Sequence, residues 1–127
     1  GGTGTDYLYG GADNDFLQGG TGNDILFGNG GADLFIWGDN DADGSTDIIK
    51  DFNLAEGDKI DAKALLNALG WDNSMGTLSD YVSLTTGSNT INIHNIANTV
   101  NVNIVVTGQS FTENDIIDMI NKTNFQT

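Results

Sequence analysis

The chain has no cysteine and no proline, a single histidine, and only four lysine or arginine residues against eighteen aspartates and glutamates. Without cysteine, no disulfide staples the fold and no thiolate can hold a metal. A net charge of −14 makes nucleic acid and anionic membrane poor partners and cations the natural ones. No apolar run approaches the roughly 18 residues of a membrane span, so no membrane insertion is expected. No N-terminal signal peptide is visible either. Catalytic signatures are equally scarce. There is no H-E-x-x-H, no G-x-S-x-G and no cysteine nucleophile. The lone His94 lies among asparagines in an expected strand, where a surface role is the natural reading. The chain itself is therefore not expected to be an enzyme.

What is present is a repeat. The first 36 residues read GGTGTDYLYGGADNDFLQGGTGNDILFGNGGADLFI. Asp6, Asp15, Asp24 and Asp33 stand nine residues apart, and Leu8, Leu17, Leu26 and Phe35 follow each of them by two. Gly1, Gly10, Gly19 and Gly28 open the units. A fixed short period marks a stacked repeat architecture. The acidic bias is local too, with 13 of the 18 carboxylates at or before Asp61.

Each unit has a glycine-rich half suited to turns with positive φ and a short apolar half suited to a brief strand. Turn plus strand, repeated, gives a solenoid. Leu8, Leu17, Leu26 and Phe35 stack inside it, and the aspartates stack at the turns. Neighbouring rungs lie about 4.8 Å apart, where two carboxylates repel by roughly 3 kcal/mol at an effective dielectric of 20. A bound cation turns that repulsion into attraction. The available ligands are hard oxygens: carboxylates of Asp6, Asp15, Asp24 and Asp33, and turn carbonyls at Gly2, Gly4, Gly11, Gly20, Gly22 and Gly31. Oxygen-only, flexible cages favour Ca²⁺ over Zn²⁺ and Mg²⁺.

The units resemble the G-G-x-G-x-D-x-U-x signature of RTX (repeats-in-toxin) proteins, a Ca²⁺-binding repeat. GGTGTDYLY and GGTGNDILF fit every defined position. GGADNDFLQ places Asp13 at the fourth-position glycine, adding a candidate ligand, and GNGGADLFI places Asn29 at the second. The resemblance implies a mainly β fold, a Ca²⁺-bound parallel β-roll with two units per coil and ions between turns two units apart. Asp6 is then paired with the turn of Asp24, and Asp15 with that of Asp33.

Beyond this roll (residues 1–36), an acidic closing segment (37–61) and a C-terminal mixed strand/helix cap with a secretion-signal region (62–127) are expected. Asp39, Asp41 and Asp43 alternate before Gly44 like the start of an EF-hand loop, but the twelfth position is Lys50. Ca²⁺ binding and a surface Asx-rich turn both remain open there. Asp47-Ile48-Ile49-Lys50-Asp51-Phe52 and Asp58-Lys59-Ile60-Asp61 resemble the "D-x-I-x-D-F … D-K-I-D" segment that closes many RTX rolls. That resemblance implies a terminal Ca²⁺ site from Asp47, Asp51 and Asp58, with Ile48, Phe52 and Ile60 capping the core. Asp61 is suited to N-cap a helix from Ala62 to Leu69, ended by Gly70. Strands are expected over 81–85, 90–94 and 99–106, the last from its strict alternation, with a turn at Gly87-Ser88. A capping box at Ser110–Glu113 precedes an amphipathic helix carrying Ile116, Ile117 and Ile120, and the tail from Asn124 is expected to fray.

A solenoid needs its open ends covered, and outward Tyr7, Tyr9, Ile25 and Phe27 form apolar area that part of the last third or a partner is expected to cover. Trp37 and Trp71 are expected in the core or cap, while Glu56 and Asp72 receive no role. The whole resembles the C-terminal type I secretion target region of a large RTX adhesin from a Gram-negative bacterium. That implies a secreted or cell-surface monomer and three further partners: an ABC transporter, an adaptor and an outer-membrane channel. The chain is expected to be the C-terminal piece of a longer protein, joined to upstream domains. Two other readings are weighed beside it. One is a ligand- or ice-binding solenoid presenting Thr3, Thr5, Thr21 and Asn23, and the other is the tail of a secreted RTX protease or lipase.

Overall fold

Alternating turns and two- or three-residue strands fall into two parallel ladders in the computed structural model, which describes residues 1–72, 80–84, 89–97 and 99–107. Strand β1 (Tyr7–Tyr9) pairs with β3 (Ile25–Phe27), and β2 (Phe16–Leu17) pairs with β4 (Leu34–Ile36). Both pairings are parallel and displaced by two units: Leu8 faces Leu26 across one ladder and Leu17 faces Phe35 across the other. Successive units therefore alternate between the two ladders, which is the β-roll that the RTX resemblance implies.

The roll does not stop at Ile36. Strand β5 (Thr46–Ile49) adds to the first ladder and β6 (Lys59–Asp61) to the second, so residues 37–61 form a third coil. Its turns are longer than those of the repeats. Ile25 pairs with Ile48 and Phe35 with Ile60, offsets of 23 and 25 residues in place of 18. The inserted residues carry the alternating aspartates on one side and a short 3₁₀ turn, Leu54–Glu56, on the other.

The register of β5 corrects one expectation. Ile48 stands opposite outward Ile25 and is half-buried, whereas Ile49 pairs with Leu26 and is fully buried. Asp47 falls in line with Asp24, so the D-x-U spacing makes Ile49 the inward residue of this rung. Phe52 and Ile60 do enter the core as expected.

After β6 the chain turns into helix α1 (Lys63–Ala68), which buries Leu65 and Leu66. Its N-cap position is Ala62, without a side-chain cap, and not Asp61. Asp61 still belongs to the strand, and its carboxylate accepts the Lys63 N–H at 3.1 Å. At the other end Gly70 takes φ 110°. Its N–H reaches the Asn67 carbonyl and that of Trp71 reaches Leu66, the paired closure of a Schellman motif. The last strands, β7 (Val82–Leu84), β8 (Thr90–His94) and β9 (Asn101–Val106), extend the first ladder. β9 joins β5 in parallel and β8 and β7 follow antiparallel, giving the order β1-β3-β5-β9-β8-β7 beside β2-β4-β6.

One hydrophobic core runs through the whole of this. Leu17, Leu26, Phe35, Ile49 and Ile60 from the coils join Trp37, Trp71, Leu65, Leu66, Ile91, Ile93, Val102, Ile104 and Val106. Leu8 at the first rung is only partly buried. On the outer face Tyr9 stacks on Phe27 at 4.8 Å. Tyr7 and Tyr9 keep 63 % and 66 % of their surface exposed, so the described residues leave them uncovered. The Gly87-Ser88 turn, the 110–121 helix and the tail lie outside the described residues.

Candidate metal centre

The turns bring the repeat aspartates together two units apart. Asp24 extends one carboxylate oxygen to the Asp6 N–H and Asp33 does the same to Asp15, each at 2.9 Å. The third coil continues both ladders, with Asp47 accepting the Asp24 N–H and Asp58 the Asp33 N–H. Asp24, Asp33, Asp47 and Asp58 are buried, while Asp6 and Asp15 are half-buried at the first rung.

The second oxygen of each repeat aspartate is the unusual feature. Oδ2 of Asp6, Asp15, Asp24 and Asp33 is buried and has no hydrogen-bond partner. A buried, unpartnered carboxylate oxygen is costly and calls for a cation or a donor. These oxygens lie over the glycine that opens their own unit. A Cβ built on Gly19 or Gly28 would stand 2.3 Å from the Oδ2 of Asp24 or Asp33, so a side chain there would fill the space beside the oxygen.

Backbone supplies the rest of the cradle. Gly2, Gly4, Gly11, Gly20, Gly22 and Gly31 all hold positive φ, between 91° and 103°. At Gly20 and Gly22 the reason is also contact, because a Cβ would meet the carbonyl oxygens of Gly2 and Gly4 at 2.1 Å. Asp13 and Asn29, the two departures from the repeat, adopt φ 74° and 66°; aspartate and asparagine are the side chains that best tolerate this region. The Asp13 side chain is exposed and its carbonyl lies against Gly31.

Around the third coil the carboxylates are differently occupied. Asp51 accepts the N–H groups of Gly28 and Asn29. Asp43 accepts the Gly22 N–H at 2.7 Å and is bonded by both the N–H and the hydroxyl of Ser45. Asp41 is buried against the Gly38 N–H, and Asp39 is exposed outside the network. The alternating aspartates thus do not form an EF-hand-like cage. Glu56, given no role from sequence, accepts the Gly31 N–H and the Asn53 side chain. Asn14 and Asn23 accept the N–H groups of Ala32 and Thr46 two turns away. Their spacing from Asp15 and Asp24 in the repeat was the available signal. His94 is half-buried; its Nδ1 faces the Asn95 carbonyl, which makes Nδ1 the protonated nitrogen and Nε2 the acceptor for the Ser83 hydroxyl.

Electrostatics follow burial. Burial, reinforced by neighbouring carboxylates, pushes Asp24, Asp33 and Asp58 above the ordinary aspartate range, although backbone hydrogen bonds oppose the rise. Asp47 is pushed up to about 6 by its burial, against the bond from Trp37. Asp43 is exposed; partial desolvation acts on it as well, but its bonds from Ser45 and Gly22 outweigh that and hold it low. A cation bound at Asp24 or Asp33 would reverse their upward shifts.

The model of the RTX calcium-binding nonapeptide repeat matches residues 1–35 in four copies. Residues 1–35 are an RTX repeat region. RTX nonapeptide repeats are calcium-binding, and the hard, partly orphaned oxygens of these turns suit that ion. Among the described residues no three His, Cys, Asp or Glu side chains converge on one point. An ion in the RTX turns would therefore draw on main-chain carbonyls beside Asp24 or Asp33. No curated protein matches the chain. Among solved structures it is similar to the solution structure of the AlgE6R3 subunit from the Azotobacter vinelandii mannuronan C5-epimerase. That similarity has 20 % identity and a TM-score of 0.34, covering 98 % of this chain and 78 % of that one.

Proposed function

We propose that this chain is a calcium-dependent folding module and the C-terminal secretion region of a large secreted RTX protein, an adhesin of a Gram-negative bacterium. The carrying observation is the ladder of buried carboxylates whose second oxygens lack a partner. Where Ca²⁺ is scarce, as in the cytosol, the aspartates repel one another and the roll stays open, so the chain can be threaded through a narrow exporter. Extracellular Ca²⁺ sites bind at about 10⁻⁴ to 10⁻³ M. Binding to the folded state alone then stabilises it by mass action as the chain emerges. The partners of this reading are the ABC transporter, the adaptor and the outer-membrane channel of a type I system, with the transporter reading the last third. The solenoid-surface reading is less favoured, because Asn23 is engaged in holding the next coil through Thr46.

Fused behind a passenger and co-expressed with the exporter of an RTX adhesin, the chain is expected to carry that passenger into the medium. Deletion of residues 108–127 is expected to keep it in the cell. Retention of the intact fusion, with the exporter active on its own substrate, would remove the secretion part of the proposal.

A further inference from the structure

The carboxylates of the roll divide into two kinds. Between repeat rungs, Asp24 and Asp33 each place one oxygen on the N–H of the preceding rung and leave the other without a partner. Between the last repeat rung and the third coil, Asp47 and Asp58 make the same first bond, but their second oxygens are occupied by the chain. The Trp37 indole N–H donates to Asp47 Oδ2 at 2.8 Å, and the Asn53 N–H donates to Asp58 Oδ2 at 2.9 Å. Trp37 is 2 % exposed and Asp47 1 %, so water does not compete for that oxygen.

We propose that the third coil is a metal-free end of the roll, in which N–H donors of Trp37 and Asn53 take the place that an ion takes elsewhere. Ions load between repeat rungs, about Asp24 and Asp33, and not at Asp47 or Asp58. The inference rests on the calcium reading above. Its physical basis is that a neutral donor fixed in the core satisfies a carboxylate oxygen without any ion. An ion at Asp47 Oδ2 would either share that oxygen with an indole N–H whose positive hydrogen repels it, or displace the indole and leave a buried N–H unpaired. The coil so closed offers the repeats a template that does not depend on calcium.

The test is ion counting on the full chain by native mass spectrometry and calorimetry with Ca²⁺. Asp24→Asn and Asp33→Asn are each expected to lose one bound ion. Asp47→Asn is expected to keep the wild-type count while melting at lower temperature in saturating Ca²⁺, because the amide presents a donor to Trp37. Loss of an ion in Asp47→Asn would overturn the proposal. A second readout needs no variant: in the Ca²⁺-loaded protein the Trp37 indole proton is expected to be shifted downfield and protected from exchange. A free-indole shift with fast exchange would mean that an ion has taken the oxygen, and would overturn it too. Absence of any Ca²⁺ binding would instead remove the calcium reading itself, a distinguishable result.

Discussion

Gly22→Ala is expected to destabilise the calcium-loaded roll by about 2–5 kcal/mol, while Gly4→Ala removes about 1–2 kcal/mol. Both glycines hold φ near 100°, at 102° and 91°, so both variants suffer the left-handed backbone penalty of about 1–2 kcal/mol. Only Gly22 has a neighbour. Its Cβ would stand 2.1 Å from the Gly4 carbonyl oxygen and 2.7 Å from the carbonyl carbon, and nothing lies within 4 Å of a Cβ on Gly4. The obstructing atoms are backbone, so they cannot swing aside like a side chain. Forcing the rungs apart adds an overpacking term of about 1–3 kcal/mol. The stiffer unfolded chain favours both variants alike, so the difference isolates the contact between stacked turns. Denaturant unfolding in saturating Ca²⁺ measures it, and equal losses in the two variants would mean that the turns do not stack this closely.

Acid is expected to stand in for calcium. In Ca²⁺-free buffer the chain should hold more β structure, and melt later, at pH 5 than at pH 7. Asp47 is raised to about 6 in the fold from 3.8, so between those values the folded state binds a proton that the unfolded state has released. Stability therefore grows as pH falls through that window and is lost as pH rises past 6. The full shift is worth on the order of 3 kcal/mol, about half of it between pH 5 and pH 7, and raised Asp24, Asp33 and Asp58 act in the same direction. Asp43, held low, keeps its contribution through this range and loses it only below 3.8. With millimolar Ca²⁺ the advantage of acid should shrink, since the ion relieves Asp24 and Asp33 at either pH while Asp47, which takes no ion, keeps its share. Melting followed by circular dichroism at the two pH values checks both halves, and pH 5 keeps the chain clear of its isoelectric point near 4.1. Greater Ca²⁺-free stability at pH 7 would contradict the upward shifts.

The repeat itself was legible because a nine-residue period fixes the inward residue, and the resemblance to RTX units implied the pairing two units on. Leu17, Leu26 and Phe35 are buried, and Asp24 reaches Asp6 across one coil. Past Ile36 the period breaks and legibility falls with it. Turn insertions of 5 and 7 residues (23 − 18 and 25 − 18) hid a third coil within an apparently irregular acidic stretch. Resemblance to the closing segment points to Ile48 as the core residue, although the D-x-U spacing counted from Asp47 selects Ile49. The strands over 90–94 and 99–106 were legible, the second from its alternation although β9 begins at Asn101, but nothing local says that β9 pairs in parallel with β5. Donors such as Trp37, Asn53 and Ser45 come from outside the repeat pattern, and only the folded chain brings them to the carboxylates.

The central claim is that cations complete the folded roll. A far-UV circular dichroism titration at pH 7 with Ca²⁺, run in parallel with Mg²⁺, tests it most directly. The orphaned oxygens of Asp24 and Asp33 predict a cooperative gain of β signal with Ca²⁺ alone, its midpoint at about 10⁻⁴ to 10⁻³ M. A chain already fully folded in chelator, and unmoved by Ca²⁺, would contradict that claim.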